Sequence, residues 1–269
     1  MSLSRRRTVA ALAAALPLMP AGTATARPRT PTVWIAGDST AAQKYTDAAP
    51  ETGWGMALPF FLTRHLAVAN HAVNGRSSKS FVDEGRLDTV LAGLRPGDLL
   101  LVQFGHNDQK ATDPARYTEP WTTYREHLLR YVAGARASGA RPVLLTPVER
   151  RRFDAGGNAV PTHGEYPAAM RALAAEEGVP LVDVQAASLA EWQKLGPEPS
   201  KAYFNWLTPG ESPHYPDGKQ DNTHFRPRGA IEVARLVAGG LRERGVLAAR
   251  DVRRLEEPVP AAWITWPPR

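Results

Sequence analysis

A serine attacks an acyl carbon only when a neighbouring base removes its proton. The residue types for such a step stand near the two ends of this sequence. Ser39 lies in Gly37-Asp38-Ser39-Thr40, directly after the apolar run 33–36. Asp221 and His224 lie in Asp221-Asn222-Thr223-His224, just before the last amphipathic stretch. An imidazole, with an ordinary pKa of about 6.5, can take the hydroxyl proton and return it to a departing alcohol. A carboxylate three residues earlier can hold the ring in one tautomer and stabilise the imidazolium. That spacing suits a loop turn with both side chains pointing into one cleft. Each fragment alone has a plainer reading. Glycine, aspartate and serine punctuate ordinary strand ends, and an Asp-x-x-His pair can cap a helix or sit on a solvated surface. The chemistry therefore requires a fold that brings the two ends together.

The chain between them reads as such a fold. Apolar runs at 33–36, 65–69, 99–104, 142–146 and 179–184 predict five strands, and the nearly unbroken run 99–104 suits a strand covered on both faces. Helical spacing predicts helices over 54–62, 81–94, 121–138, 165–178 and 188–195, with a last one from Pro227 to about Gly245. Strands alternating with helices argue for the α/β class, a three-layer α/β/α sandwich around a five-stranded parallel sheet. The carboxyl ends of parallel strands share one edge, so polar groups after successive strands converge there. Ser39 follows the first strand, 70–77 the second and 105–108 the third. The segment 196–220 is longer than an ordinary connection, which marks a candidate functional loop. Arg150, Arg151 and Arg152 read as part of a solvated loop. No repeat or second domain is visible, so residues 27–269 are expected to form a single domain. Nothing periodic places the tail 250–269.

Composition narrows the classes further. The 269 residues are 43% hydrophobic, enough for one domain with a substantial core. Residues 1–26 read as a secretory leader: Arg5, Arg6 and Arg7, the apolar stretch 8–18, then Ala24-Thr25-Ala26 as a cleavage site. Ser4-Arg5-Arg6-Arg7-Thr8-Val9 resembles a twin-arginine export signal, although Thr8 stands where such signals prefer a large apolar residue. The apolar stretch is too short to span a bilayer. A secreted chain without membrane attachment is therefore expected. The formal net charge of +6 falls by half with the leader, which holds three arginines and no acid. The remainder is too mild for nucleic acid but compatible with an anionic polymer. Without cysteine there is no disulfide and no thiol nucleophile. His106 and Asp108 lack companions at metal-ligand spacing, so neither a metal nor another cofactor is expected. A monomer is expected.

Four blocks, taken in order, resemble the signature of the SGNH (GDSL-type) hydrolases: Gly37-Asp38-Ser39-Thr40, Gly75 within the segment 70–77, Gly105-His106-Asn107-Asp108, and Asp221-Asn222-Thr223-His224. Within that superfamily the chain is most similar to the rhamnogalacturonan acetylesterases. The likeness includes Gly53-Trp54-Gly55, the run from Gly75 to Phe81, Phe104 before the third block and Phe225 after the last. The resemblance implies a flavodoxin-like fold and a secreted, metal-independent esterase that removes acetyl groups from a pectic polysaccharide. It assigns Ser39, His224 and Asp221 to catalysis. It assigns the oxyanion donors to the backbone N–H groups of Ser39 and Gly75 and the side-chain amide of Asn107. Asp38 reads as structural, bonding nearby backbone, and His106 and Asp108 as stabilising their loop. Arg76, Lys79, Lys110, Arg226 and Arg228 lie beside these blocks and suit galacturonate carboxylates, or are simply solvated. Trp206, Tyr203 and Tyr215 suit stacking on sugar rings, or pin the long loop. The alternative substrates are acetylated xylan, peptidoglycan or other acyl esters, with long lipid chains disfavoured because no apolar lid-like stretch is visible. A non-catalytic carbohydrate-binding protein is the alternative of a different class.

Overall fold

The computed structural model describes residues 30–269. The leader expected at 1–26 lies outside the described residues. Strands β1 (Thr32–Gly37), β2 (Ala67–Asn70), β3 (Leu99–Gln103), β4 (Arg141–Leu145) and β5 (Leu181–Val182) pair in parallel. Their order is β2-β1-β3-β4-β5. This is the α/β sheet that the alternation predicts. In this order the chain turns one way from β1 to β2 and the other way from β3 onward, which opens a crevice at the carboxyl ends of β1 and β3.

Side-chain alternation divides the core into two layers. Ile35, Leu101 and Val143 stand side by side in register and face one layer, with Val33, Leu99 and Leu145. There they meet α1 (Trp54–Ala57), α6 (Val184–Leu195) and α7 (Pro227–Glu243). Ala36, Leu100, Val102 and Leu144 face the opposite layer. That layer holds α2 (Ser78–Asp83), α3 (Arg86–Gly93), α4 (Arg125–Ala137) and α5 (Tyr166–Glu177). Both faces are covered, as a parallel sheet requires. Among the described residues no helix is long and apolar enough to cross a membrane.

Several boundaries differ from the sequence reading, each for a local reason. The helix expected over 81–94 is two helices, because Gly85 takes a left-handed conformation with φ 69°. The first begins earlier, at Ser78, because Ser77 and Ser80 cap it reciprocally: Ser77 Oγ accepts the Ser80 N–H (3.1 Å) and Ser80 Oγ accepts the Ser77 N–H (2.9 Å). The fifth strand keeps two residues of the expected six. Asp183 accepts the Ala186 N–H (3.2 Å) and starts α6 at Val184.

The largest correction concerns 196–225. The expected loop contains β6 (Phe204–Leu207), and β7 (Lys219–Phe225) folds back on it antiparallel. Its polar sequence, Lys-Gln-Asp-Asn-Thr-His-Phe, has no apolar period to announce a strand. What holds the hairpin is aromatic. Phe204 and Phe225 pack ring to ring at 5.2 Å, and Trp192 of α6 meets Phe204 at 4.9 Å. The tail also has a place. Val252 bridges Leu62, Ile264 joins the core, and the Pro267 carbonyl accepts the Thr46 N–H (3.1 Å).

Candidate active site

Ser39 lies two residues beyond β1, at the crevice between β1 and β3. Asp38 shapes that turn. Its carboxylate is fully buried and accepts the Thr40 N–H (2.9 Å) and hydroxyl (2.7 Å), while His106 Nδ1 faces it at 3.1 Å. Burial alone would raise this acid; the His106 imidazole and the two Thr40 donors outweigh it and hold the pKa at about 2. A carboxylate whose pKa drops from 3.8 to about 2 on folding stabilises the fold above pH 3.8 and loses that contribution as pH falls through about 2. The amount is on the order of 2 kcal/mol. Asp38→Asn is expected to flatten the drop in urea midpoint between pH 4 and pH 2. An unchanged slope would show that the drop has another source.

His224 and Asp221 come from β7, not from a turn. In a regular strand, side chains three apart point to opposite faces. Here Phe204 pairs with Phe225 and Trp206 with Gln220, so a step of two residues on β6 is matched by a step of five on β7. The surplus bulges, and Asp221 Oδ1 closes it by accepting the N–H groups of Thr223 (2.8 Å) and His224 (3.0 Å). Both side chains then share one side. Asp221 Oδ2 meets His224 Nδ1 at 2.8 Å, and His224 Nε2 meets Ser39 Oγ at 2.8 Å. Burial works against ionisation of Asp221, but the His224 ring and the two backbone N–H groups prevail and hold its carboxyl far below the usual range.

Two further loops complete the crevice. Gly75, after β2, has φ 76°, a conformation glycine adopts without strain, and a Cβ there would meet only the Arg116 guanidinium at 3.7 Å. Asn107, after β3, is buried and donates one amide hydrogen to the Arg76 carbonyl (2.9 Å), and its second has no acceptor among the described residues. The neighbouring Asp108 accepts the Ser78 N–H (3.0 Å) and Thr118 hydroxyl (3.1 Å), tying this loop to the start of α2. Neither the Ser39 nor the Gly75 backbone N–H has an acceptor among the described residues. Ser39, Gly75, Asn107 and His224 all line one cavity of about 540 Å³.

Of the charged and aromatic residues suited to a substrate, Lys110 lines this cavity. Arg76 pairs with Glu84 (3.0 Å), and Lys79 donates to the Pro114 carbonyl (2.7 Å). Trp206 donates to Asn222 Oδ1 (2.8 Å) under the Lys201 ammonium, and Tyr215 lies beneath Lys219. Arg226 pairs with Glu211 (2.6 Å), and Arg228 covers the Tyr203 ring. The cavity wall also holds Arg150 and Glu51, which sequence reasoning passed over. Arg150 is half-buried rather than solvated, reaching the His106 (3.4 Å) and Thr162 (3.3 Å) carbonyls. Nothing in a run of three arginines or a polar loop distinguishes the residue that turns inward. Glu51, Asp221 and His224 each bring a potential metal donor atom within 4.8 Å of the others. The Lys219 ammonium already touches both carboxylates, at 3.2 and 3.3 Å, and supplies the positive charge a cation would bring.

Residues 35–230 match the GDSL-like lipase/acylhydrolase family, and the chain belongs to it. It is therefore a carboxylic ester hydrolase. Among curated proteins it is 47% identical over 214 residues to rhamnogalacturonan acetylesterase RhgT of Bacillus subtilis, covering 80% of this chain and 90% of that one. It is 44% identical to the probable rhamnogalacturonan acetylesterase YesY of the same organism, covering 80% and 94%. Among solved structures, the YxiM protein of Bacillus subtilis superposes with a TM-score of 0.69 at 28% identity, covering 81% of this chain and 57% of that one.

Proposed function

We propose that this chain is a secreted serine esterase that removes O-acetyl groups from a pectic polysaccharide. The observation carrying the mechanism is the unbroken series Ser39–His224–Asp221, with both contacts at 2.8 Å. Ser39 Oγ attacks the acetyl carbonyl while His224 Nε2 takes its proton. The negative oxygen is held by the Ser39 and Gly75 N–H groups and the free amide hydrogen of Asn107. Collapse breaks the bond to the sugar oxygen, which receives the proton from His224. Water then attacks the acetyl-serine with His224 again as base, releasing acetate and restoring Ser39. Asp221 keeps the imidazole oriented and balances its charge in both halves. Export is supported by the leader pattern in residues 1–26.

Two features favour an acidic polysaccharide over a neutral one. The relatives RhgT and YesY carry the rhamnogalacturonan acetylesterase name. Lys110 and Arg150 also stand in the cavity wall without an ion-pair partner among the described residues, which suits a uronate carboxylate beside the acetylated position. Acetate release from acetylated rhamnogalacturonan is expected to exceed release from acetylated xylan at equal acetyl content. Equal rates would remove the pectic assignment. Arg150→Ala is expected to raise KM for the acidic polymer about tenfold while leaving 4-nitrophenyl acetate within about twofold. The exposed Lys110 should contribute less. A KM that rises equally on both substrates would mean that Arg150 shapes the cavity without reading the carboxylate.

A further inference from the structure

We propose that Glu51 is a positioning residue that couples the two halves of this machinery, a role resting on the esterase reading above. It does so through a chain of alternating charges, Lys44–Glu51–Lys219–Asp221. Glu51 Oε1 takes the Lys44 ammonium at 2.8 Å, and its Oε2 takes that of Lys219 at 3.2 Å. Lys219 in turn lies 3.3 Å from Asp221 Oδ2, the oxygen that meets His224 Nδ1. At the other end Lys44 donates to Asn74 Oδ1 at 2.7 Å, and Asn74 precedes Gly75, whose N–H is unbonded among the described residues. One carboxylate thus ties the acid that orients the base to the loop that presents an oxyanion donor.

Charge arithmetic gives this link a consequence for rate. Two ammonium groups and two carboxylates leave the chain neutral. Lys44 is 1% exposed, and Glu51 is its ion-pair partner among the described residues. Without the Glu51 charge, Lys219 keeps Asp221 as its remaining carboxylate and competes with His224 for Oδ2. A net positive charge would then face the imidazolium that forms at His224 during attack, raising the barrier without altering the ground state as much. His106, in the loop after β3, lines the same cavity as His224; burial is the main cause lowering its pKa, and the nearby His224 adds to the lowering.

The backbone around Glu51 is braced from both sides. Its carbonyl accepts the Trp266 indole N–H from the C-terminal tail (2.8 Å). The next residue, Thr52, donates its N–H to the Phe225 carbonyl (2.8 Å), directly after His224. The tail therefore helps to hold the carboxylate in place.

Steady-state kinetics of the full chain on 4-nitrophenyl acetate test the proposal. Glu51→Gln is expected to lower kcat about 10- to 100-fold, with KM within about twofold and the urea midpoint retained. Glu51→Asp should recover part of the loss. Lys44→Met removes the buried partner and can unfold the chain, so Asn74→Ala probes that arm instead. It should lower kcat, and combined with Glu51→Gln it should lower kcat by less than the product of the two. Trp266→Phe removes the N–H to Glu51 together with part of the ring that packs on the core, and should give a smaller loss of kcat. Wild-type rates in Glu51→Gln, or losses that follow the urea midpoint alone, would overturn the positioning role. An inactive wild type, or a fully active Ser39→Ala, would instead bring down the esterase reading itself.

Discussion

Ser39→Ala is expected to lower kcat for acetate release by about 10⁵-fold or more, with binding of acetylated polymer nearly unchanged. Ser39 Oγ is the nucleophile in the proposed reaction and lies 2.8 Å from His224 Nε2. Alanine deletes the oxygen that forms the acyl bond and leaves the N–H groups and cavity wall in place. Alanine differs from serine by one oxygen, so packing changes little even at this buried position and the urea midpoint should move little. His224→Ala should be nearly as damaging, because an unactivated hydroxyl is a poor nucleophile at neutral pH. The two losses should not multiply. Once either member is gone the pathway is closed, and the double variant should match the worse single one. Discontinuous acetate assays on purified protein measure all three. Retention of even a tenth of the activity in Ser39→Ala would end the mechanism.

Asn107→Ala should lower kcat about 10²- to 10³-fold, roughly 3 kcal/mol of transition-state stabilisation, with a small effect on KM. The asymmetry follows from when the amide is needed. In the free enzyme one Asn107 hydrogen serves the Arg76 carbonyl and the other has no acceptor among the described residues. The second becomes worth most when charge develops on the acyl oxygen, so its loss raises the barrier more than it weakens binding. A structural role through Arg76 would behave differently. Loosening the Gly75–Arg76 loop would raise KM and lower the urea midpoint together. Measuring kcat, KM and the midpoint on one preparation separates the two, and a change confined to KM and the midpoint would remove Asn107 from the oxyanion site.

The aromatic and charged residues show where reading a linear chain stops. Trp206 and Tyr215 have surfaces suited to sugars, but a ring suited to stacking on sugar suits stacking under lysine equally well. Here they lie under Lys201 and Lys219. Arg76 and Lys79 adjoin a signature block, yet Glu84 and the Pro114 carbonyl engage them. Adjacency in sequence does not decide which way a long, flexible side chain turns. Conversely, Glu51 and Arg150 carry no local mark. A carboxylate in a polar loop is solvated by default, and only the approach of Lys44, Lys219 and the tail makes Glu51 part of the site.

The sequence by itself determined the sheet and its contents. Buried parallel strands must be apolar on both faces, and 99–104 could hardly be anything else. It also determined which loops would carry polar groups to one edge, since strands running the same way end together. It could not determine the hairpin that delivers His224. β7 is polar up to its last residue, Phe225, and is held where that ring packs against Phe204 and Trp192, which lie well before it in the chain. Nor could it determine that a bulge turns Asp221 and His224 to the same side, because strand periodicity alone would separate them. Local propensity fixes elements through short-range contacts. The last few ångströms of a site depend on packing between segments far apart in sequence, and those were decided only when the chain closed on itself.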